Sequence, residues 1–290
     1  MAAREPLAFL CLGAMGGPMA GHLARAGHPM AVWNRSAEKA RAWVAAHGGR
    51  AAATPGEAAR GAAVVFACSG DDAALRGIAT GPAGAFAGMA PGAVFVDHTT
   101  VSAELARELS VEAARRGLEF VDAPVSGGEE GARRGALTVM AGGDEAAFRR
   151  IEPLLAAYAR RAVHLGPAGA GQLAKMVNQI CIAGVLAGLA EGIRFAERAG
   201  LDARAALELI AHGAAGSWQL SNRAPTMIER RFDFGFAVDW MRKDLGIALA
   251  EARRIGAELP VTALVDQRYR ELAARGRGRL DTSSLITLLD

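Results

Sequence analysis

Short apolar runs alternate with Ala- and Arg-rich helical segments through the first 166 residues, and this alternation restricts the possible folds more than any other feature. The runs predicted as buried strands are residues 7–12, 30–33, 63–68, 93–97, 118–122, 137–141 and 162–165. Strands that alternate with helices form a parallel sheet with helices on both faces. We therefore expect an α/β domain with a doubly wound parallel sheet over residues 1–166.

The strand pattern ends near Gly166-Pro167, and a helical pattern takes its place. One long helix is predicted over residues 168–199, with small residues at Gly184, Gly188 and Gly192 that permit close helix packing. Further helices are predicted at residues 203–212, 221–230, 241–255 and 260–275. Residues 167–290 are thus expected to form an all-helical second domain.

Composition and charge exclude several classes of protein. Hydrophobic residues make up 51% of the chain and charged residues 22%, which excludes a disordered or fibrous protein. The net charge is only +3, and the basic residues are scattered, so no nucleic-acid partner is expected. The six histidines show no zinc-ligand spacing, so no metal is expected. Neither tyrosine begins the Tyr-x-x-x-Lys motif of short-chain dehydrogenases.

The cysteines and the apolar segments favour a cytoplasmic, bacterial protein without a membrane partner. Cys11, Cys68 and Cys181 are far apart, and we identify no secretory leader before the first strand, which favours a reducing compartment. The uncharged stretch between Lys175 and Glu191 is shorter than the roughly 20 apolar residues that a bilayer span needs.

The segment after the first predicted strand resembles a phosphate-binding loop. In a G-x-G-x-x-G loop, glycines let backbone N–H groups at a helix N-terminus approach a pyrophosphate closely. Here Cys11 replaces the first glycine, whereas Gly13 and Gly16 remain and Pro18 suits a first helical turn. The residues predicted to contact a dinucleotide are Leu12, Gly13, Ala14, Met15 and Gly16. The alternative is a structural turn.

The end of the second predicted strand favours NADP over NAD, although NAD remains possible. An acidic residue there would bind the ribose 2′-hydroxyl of NAD, whereas an arginine accommodates the 2′-phosphate of NADP. The sequence has no acid at this point and reads Asn34-Arg35-Ser36, three residues that can donate to a phosphate. The alternative, in which Ser36 caps a helix and Arg35 is solvated, is compatible with this role.

Four ordered motifs, at residues 13–20, 122–128, 169–179 and 235–245, resemble the β-hydroxyacid dehydrogenase family, which includes 3-hydroxyisobutyrate dehydrogenases and small semialdehyde reductases. The resemblance implies an N-terminal Rossmann domain that binds NAD(P), a helical C-terminal domain, and a homodimer or homotetramer. It also implies that Lys175 is the catalytic acid/base and that Ser126, Gly127 and Gly128 hold the substrate carboxylate. Thr100 and Lys243 would lie against the nicotinamide and the substrate.

The sequence departs from the family pattern at three places. Cys11 replaces a loop glycine, and residues 68–70 read Cys-Ser-Gly where relatives usually have Leu-Pro. Gln179 stands where several relatives carry Asn.

The use of lysine supports a chemical role for two positions. Only Lys39, Lys175 and Lys243 are lysines among 33 basic residues. A guanidinium does not release its proton at ordinary pH, whereas a lysine ammonium can donate one to a carbonyl oxygen. A chain that otherwise uses arginine has therefore kept an amine at both positions marked by the family motif. The alternative is that both are surface lysines.

The neighbours of these residues suit a small carboxylate substrate. Lys175, Asn178 and Gln179 share one helix face, so Asn178 can orient the ammonium and Gln179 can contact substrate, unless either amide is a satisfied core group. The Ser126–Gly128 segment can form an anion cradle of backbone N–H groups, or an ordinary turn. Trp218 and Phe236 are predicted to wall the pocket, or to be core aromatics.

Together these features predict an NADP-preferring oxidoreductase that interconverts a small β-hydroxyacid and its semialdehyde. Glyoxylate, succinic semialdehyde, methylmalonate semialdehyde and tartronate semialdehyde all suit the predicted site. Two alternatives remain, a non-catalytic NADP-binding module and an imine reductase-like enzyme on the same fold.

Overall fold

The computed structural model describes residues 4–290, and the chain divides into two compact units, Met1–Lys175 and Met176–Asp290. The division falls inside one long helix, Ala170–Arg198. The predicted boundary, between residues 166 and 167, lies earlier in the chain than this division. It falls between the last strand, Ala159–His164, and the long helix.

The first unit contains a sheet whose central strands are parallel. The strands are β1 (Leu7–Leu10), β2 (Met30–Trp33), β3 (Arg50–Ala51), β4 (Val64–Ala67), β5 (Val94–Asp97), β6 (Glu119–Asp122), β7 (Val125–Ser126), β8 (Leu137–Gly143) and β9 (Ala159–His164). Their order is β3-β2-β1-β4-β5-β6-β8-β7, and β9 pairs with β8. Strands β1 to β6 pair in parallel, whereas β8 runs antiparallel to β6 and β7. The predicted α/β class is confirmed, with an antiparallel extension at one edge.

Helices cover both faces of this sheet, which explains why its strands are continuous apolar runs. The helices are α1 (Gly16–Arg25), α2 (Ala37–His47), α3 (Pro55–Ala59), α4 (Asp72–Thr80), α5 (Ala85–Gly88), α6 (Ala103–Arg115), α7 (Gly128–Arg134) and α8 (Glu145–Leu155). Along β1, Phe9 packs into one hydrophobic core and Leu10 into the other. The carboxyl ends of the parallel strands therefore lie at one edge, where ligands bind in such folds.

The second unit is helical. Its elements are the greater part of α9 (Ala170–Arg198), then α10 (Ala203–Ile210), α11 (Trp218–Ile228), α12 (Val238–Ile255), α13 (Pro260–Ala274) and a 3-10 helix (Thr282–Leu288). Leu186 and Ile193 of α9 pack with Met227 in one core, and Met241 packs with Tyr269 in the other. The predicted helical C-terminal part is confirmed.

Element boundaries differ from the sequence prediction where polar residues determine them. Strand β9 begins at Ala159, three residues earlier than predicted. The prediction missed these residues because Arg160 and Arg161 are exposed and interrupt the apolar run. Helix α11 begins at Trp218 because the Ser217 hydroxyl accepts a hydrogen bond from the N–H of Leu220. The two-residue strands β3 and β7 were not predicted, since so short a run carries no periodicity.

Helix α9 is long and apolar enough to cross a membrane by length and composition alone, contrary to the expectation from its uncharged stretch. An 18-residue window has a mean hydropathy of 1.6, and 39% of that window is buried inside the structure. The core helix of a folded domain has the same properties, so this is weak evidence for a membrane segment. The absence of a membrane partner stays a prediction.

Candidate active site

The loop between β1 and α1 has the geometry of a phosphate-binding turn. Cys11 adopts a positive φ of 73°, and its N–H donates to the carbonyl oxygen of Trp33 over 2.8 Å. A Cβ at Gly16 would overlap the carbonyl oxygen of Cys11, so the chain passes too closely there for any other residue. Met15 precedes α1, and no side chain caps that helix. Helix α1 begins directly at this loop, where the N–H of Gly17 donates to the carbonyl oxygen of Gly13 over 3.0 Å, and the loop with the helix N-terminus fits a dinucleotide pyrophosphate.

The remaining loop residues leave room for a bound nucleotide. A Cβ built at Gly13 would meet nothing within 4 Å, and Gly13 and Ala14 are exposed. Burial raises the pKa of the Cys11 thiol to about 11, against the opposing influence of the Arg35 guanidinium. Cys11 is therefore a neutral, packed side chain at ordinary pH.

Asn34 connects the tip of β2 to this loop. Its Oδ1 accepts a hydrogen bond from the N–H of Leu12 over 3.0 Å, and its Nδ2 donates to the carbonyl oxygen of Ser36 over 3.1 Å. Asn34 thus fixes the loop itself, a role that the sequence prediction did not include. Arg35 and Ser36 are exposed, and the Ser36 hydroxyl makes no capping bond to α2 although Ser36 occupies the capping position.

Asp122, the last residue of β6, holds the start of α9. Its Oδ1 accepts from the N–H of Gly169 over 2.7 Å, and its Oδ2 accepts from the N–H of Gln172 over 2.9 Å. Burial raises the pKa of this carboxyl to about 6, although the backbone N–H groups oppose the shift. Sequence reasoning quoted Asp122 in a motif but gave it no role. The feature that could have indicated this role is an acidic residue at the end of a buried strand, since a carboxylate there can accept N–H groups at the start of a helix.

The segment that carries Thr100 is fixed on both sides. The Nε2 of Gln172 donates to the carbonyl oxygen of Thr99 over 2.8 Å, and its Oε1 accepts from the N–H of Val101 over 3.1 Å. Thr100 itself is half-buried. Gln172 was also overlooked as a functional residue, because its partners are backbone groups that no sequence pattern identifies.

Lys175 lies directly beside the predicted anion cradle. Its side chain is buried, with 8% of the residue exposed, and Nζ donates to the carbonyl oxygen of Val125 over 2.9 Å. Ser126 follows in β7, and Gly127 and Gly128 have φ values of 129° and 63°, which favour glycine. The structure therefore brings the predicted acid/base and the predicted carboxylate-binding segment together.

In the second unit, a chain of polar contacts joins Asn178 to Lys243. Nδ2 of Asn178 donates to Oε1 of Gln179 over 2.7 Å, and Nε2 of Gln179 donates to Oδ2 of Asp244 over 2.6 Å. Nζ of Lys243 lies 3.0 Å from Oδ1 of Asp244. Gln179 and Asp244 are both buried. The Gln179 amide uses its oxygen to accept from Asn178 and its nitrogen to donate to Asp244. Gln179 is thus a satisfied buried group here, the alternative to the substrate contact that was predicted for it.

The two predicted wall aromatics have different surroundings. Trp218 is 56% exposed, and its ring lies 5.0 Å from the guanidinium carbon of Arg223. Phe236 is half-buried against a hydrophobic core, and its N–H donates to Oδ2 of Asp281 over 2.9 Å. Trp218 is therefore not part of a hydrophobic core, whereas Phe236 packs against the edge of one.

Comparison with known proteins agrees with the fold and the loop. Residues 6–166 match the family model for the NAD-binding domain of 6-phosphogluconate dehydrogenase. Residues 169–289 match the model for the NAD-binding region of NADP-dependent 3-hydroxyisobutyrate dehydrogenase. The class is therefore that of NAD(P)-binding Rossmann-fold oxidoreductases.

Individual relatives define the class more narrowly. An uncharacterized oxidoreductase of Shewanella frigidimarina is 56% identical over 98% of both chains. The NAD-dependent L-serine dehydrogenase of Pseudomonas aeruginosa is 35% identical over 99% of this chain and 98% of its own. The structure of Mycobacterium tuberculosis 3-hydroxyisobutyrate dehydrogenase with L-serine has a TM-score of 0.90, 33% identity and 99% coverage of both chains. The chain belongs to the β-hydroxyacid dehydrogenase family, among the 3-hydroxyisobutyrate dehydrogenase-like enzymes that depend on NAD(P).

Proposed function

We propose that this protein interconverts a small β-hydroxyacid and its semialdehyde with a preference for NADP, and that Lys175 is the general acid/base. The observation that carries the proposal is the hydrogen bond from the buried Lys175 ammonium to Val125, the residue before Ser126. This hydrogen bond supports the proposal, because reduction of an aldehydo acid requires a group that can donate a proton close to the group that holds the carboxylate.

The residues proposed to hold the cofactor are Leu12, Gly13, Ala14, Met15, Gly16, Asn34, Arg35, Ser36, Thr100 and Lys243. A bound nicotinamide supplies or receives the hydride. The phosphate loop offers N–H groups to the pyrophosphate, and Asn34 acts by holding that loop through Leu12. Gln172 fixes the backbone on both sides of Thr100, which supports a defined contact with the nicotinamide.

The Ser126–Gly128 segment is proposed to anchor the substrate carboxylate. The positive φ values at Gly127 and Gly128 are accessible mainly to glycine, and the segment is proposed to offer its backbone N–H groups and the Ser126 hydroxyl as donors. A carboxylate held there by several fixed donors presents its neighbouring carbonyl to Lys175 in a restricted orientation.

Lys175 is proposed to move the proton. In the reducing direction its ammonium donates a proton to the carbonyl oxygen, and in the oxidising direction its neutral amine accepts one from the hydroxyl. The carbonyl of Val125 restricts the position of Nζ, because a side chain with four rotatable bonds would otherwise sample many positions. Asn178 and Lys243 are proposed to assist through the contacts that they share with Gln179 and Asp244.

The preference for NADP rests on Arg35. This arginine is exposed at the tip of β2, directly after the residue that fixes the phosphate loop. Such a guanidinium suits a 2′-phosphate and has no counterpart in NAD. One relative is named as NAD-dependent, so the two cofactors are compared directly in the test below.

The test is a substrate screen with the purified protein and both reduced cofactors. The aldehydo acids are glyoxylate, succinic semialdehyde, methylmalonate semialdehyde and tartronate semialdehyde. The reverse direction uses 3-hydroxyisobutyrate and L-serine with the oxidised cofactors, NADP⁺ and NAD⁺. Faster oxidation of NADPH than of NADH with one of these acids is expected. Cofactor binding without turnover would instead favour a non-catalytic module, and turnover of cyclic imines alone would favour an imine reductase.

Assembly and location are part of the same proposal. We propose a cytoplasmic homodimer or homotetramer, in line with the family resemblance, that takes a small carboxylate and no nucleic acid or membrane as its partner. Light scattering of the purified protein measures its oligomeric state.

A further inference from the structure

The side-chain amide of Gln172 is fully used by one short segment of backbone. Gln172 is only 1% exposed, and its Nε2 and Oε1 bind the carbonyl of Thr99 and the N–H of Val101. An amide that pairs with both neighbours of one residue imitates the pairing of a β-strand. The residue between them is Thr100, so Gln172 determines where the Thr100 backbone lies.

Other contacts hold the same segment from the side of the sheet. The N–H of Thr99 donates to Oδ1 of Asp97 over 2.9 Å, and Oγ1 of Thr99 accepts from the N–H of Ser69 over 2.9 Å. Asp97 is the last residue of β5, and Ser69 and Thr99 each lie two residues beyond the ends of the neighbouring parallel strands β4 and β5. They tie Thr99 to the sheet, whereas Gln172 ties Thr99 and Val101 to helix α9.

Gln172 and Lys175 are one turn apart on α9, and the start of that helix is itself fixed. The Asp122 carboxylate accepts the N–H of Gln172, and Lys175 donates to Val125. A shift of the Thr99–Val101 segment against α9 would therefore change the distance from Thr100 to the Lys175 ammonium. The two hydrogen bonds of the Gln172 amide join these two elements directly and resist such a shift.

We propose that Gln172 is a positioning residue that sets the separation of Thr100 and Lys175, and with it the distance from the nicotinamide to the proton donor. This inference rests on the proposed function, in which Thr100 contacts the nicotinamide and Lys175 transfers the proton. A displacement of about 1 Å in a catalytic site can lower the rate by about 10²-fold. Loss of the two Gln172 hydrogen bonds is therefore expected to lower the rate of hydride transfer more than the affinity for cofactor or substrate.

The test compares Gln172→Met, which keeps the side-chain volume but removes both hydrogen bonds, with Gln267→Met on the exposed surface of α13. For Gln172→Met we expect kcat to fall by about 10-fold or more, with the Kd for NADPH changed less than about 3-fold. The isotope effect from deuterium at the transferred position of the cofactor should rise, because hydride transfer becomes slower than product release. A merely structural role would lower Tm and leave that isotope effect unchanged.

Gln172→Glu provides a second variant if the first one does not fold. An ionised glutamate can accept from Val101 but cannot donate to Thr99, whereas a protonated glutamate can do both. Its kcat relative to wild type is therefore expected to rise as the pH is lowered. A kcat within about 2-fold of wild type in a folded Gln172→Met protein, or a flat relative pH profile for Gln172→Glu, would overturn the inference. If wild type reduces no aldehydo acid, the proposed function fails first, which is a different result from an active wild type with an equally active variant.

Discussion

The Lys175 ammonium donates a 2.9 Å hydrogen bond to the carbonyl oxygen of Val125, from a helix to a two-residue strand 50 residues earlier in the chain. This contact connects the proposed proton donor to the segment proposed to hold the carboxylate. It also gives the buried lysine side chain a hydrogen-bond acceptor, which offsets part of the cost of burying a polar group.

Replacing Lys175 with Ala should lower kcat by at least ~10²-fold and leave NADPH binding nearly unchanged, because the proton donor is lost and the cofactor loop is not touched. Lys175→Arg should be similarly impaired, since a guanidinium keeps the charge but does not release its proton. Lys39→Ala, at an exposed lysine of α2, is the control. Steady-state kinetics and fluorescence titration with NADPH measure both effects. Turnover retained in Lys175→Ala would refute the acid/base role.

Replacing Arg35 with Ala should weaken NADPH binding by about 1.5 to 3 kcal/mol and leave NADH binding nearly unchanged, because only NADPH carries the 2′-phosphate. Arg41→Ala, at another exposed arginine nearby in the chain, removes an equal charge and should affect both cofactors little. Isothermal titration with each cofactor provides the comparison. Equal losses for the two cofactors in Arg35→Ala would show that the protein does not select NADP through this residue.

Cys11→Gly should be more stable than Cys11→Ala by about 1 kcal/mol. Cys11 has a φ of 73°, a conformation that costs a residue with a Cβ roughly 1–2 kcal/mol and costs glycine almost nothing. At an ordinary position alanine would be at least as stable as glycine. Urea unfolding of both variants measures the difference, and an alanine variant as stable as the glycine variant would mean that the turn is not strained. If the strain weakens cofactor binding, Cys11→Gly should also bind NADPH more tightly than wild type.

His98 should make the first unit less stable in acid. Burial lowers the pKa of His98 to about 4 from 6.5, while its ring nitrogens contact the Tyr158 hydroxyl and the Ala123 carbonyl. The unfolded chain takes up a proton near pH 6.5 but the native protein only near pH 4. Stability present above pH 6.5 is therefore lost as the pH falls to 4, by about 3 kcal/mol.

Urea unfolding from pH 7 to pH 4 tests this contribution of His98. His98→Phe should be less stable at pH 7, because Tyr158 loses its partner, but should show a flatter pH dependence. His212→Asn, at an exposed histidine, should follow the wild-type curve. A pH dependence equally steep in His98→Phe would assign the acid sensitivity to other groups.

Asp122 should have the opposite effect on stability. Its folded pKa is raised to about 6 from 3.8, so the native carboxyl keeps its proton at pH values where the unfolded one has lost it. The contribution to stability is therefore full below pH 3.8 and falls by about 3 kcal/mol as the pH rises through 6. Asp122→Asn does not titrate, so wild type should lose stability relative to this variant between pH 4 and pH 7. If wild type gains stability instead, the N–H groups of Gly169 and Gln172 outweigh burial.

Much of the first unit could be predicted because its strands are buried on both faces. Strand β2 coincides with the predicted residues 30–33, and the strand that ends at Asp97 begins one residue later than predicted. Such strands are unbroken apolar runs, and an unbroken run is visible without knowledge of its partners. The antiparallel pairing of β8 with β6 could not be predicted in this way, since the apolar run is the same for either direction.

The supporting residues of the site were harder to predict than the residues that they support. Asp122 binds N–H groups 47 and 50 residues away, and Gln172 binds backbone groups 71 and 73 residues away. Asp244 likewise accepts from Gln179, 65 residues earlier in the chain. Every residue has a backbone carbonyl and nearly every residue has an N–H, so the sequence does not indicate which of these groups will bind a given side chain.

The sequence by itself determined the alternation of strands and helices, the phosphate loop, and the few positions where an amine replaces arginine. These properties depend on local periodicity and on the chemistry of single residues, which can be read along one segment. Only the tertiary structure decided that Lys175 meets Val125, that Asn34 holds Leu12, and that the Gln179 amide is used by Asp244. Those contacts depend on distances between segments that are remote in the chain, and packing of the folded units sets these distances.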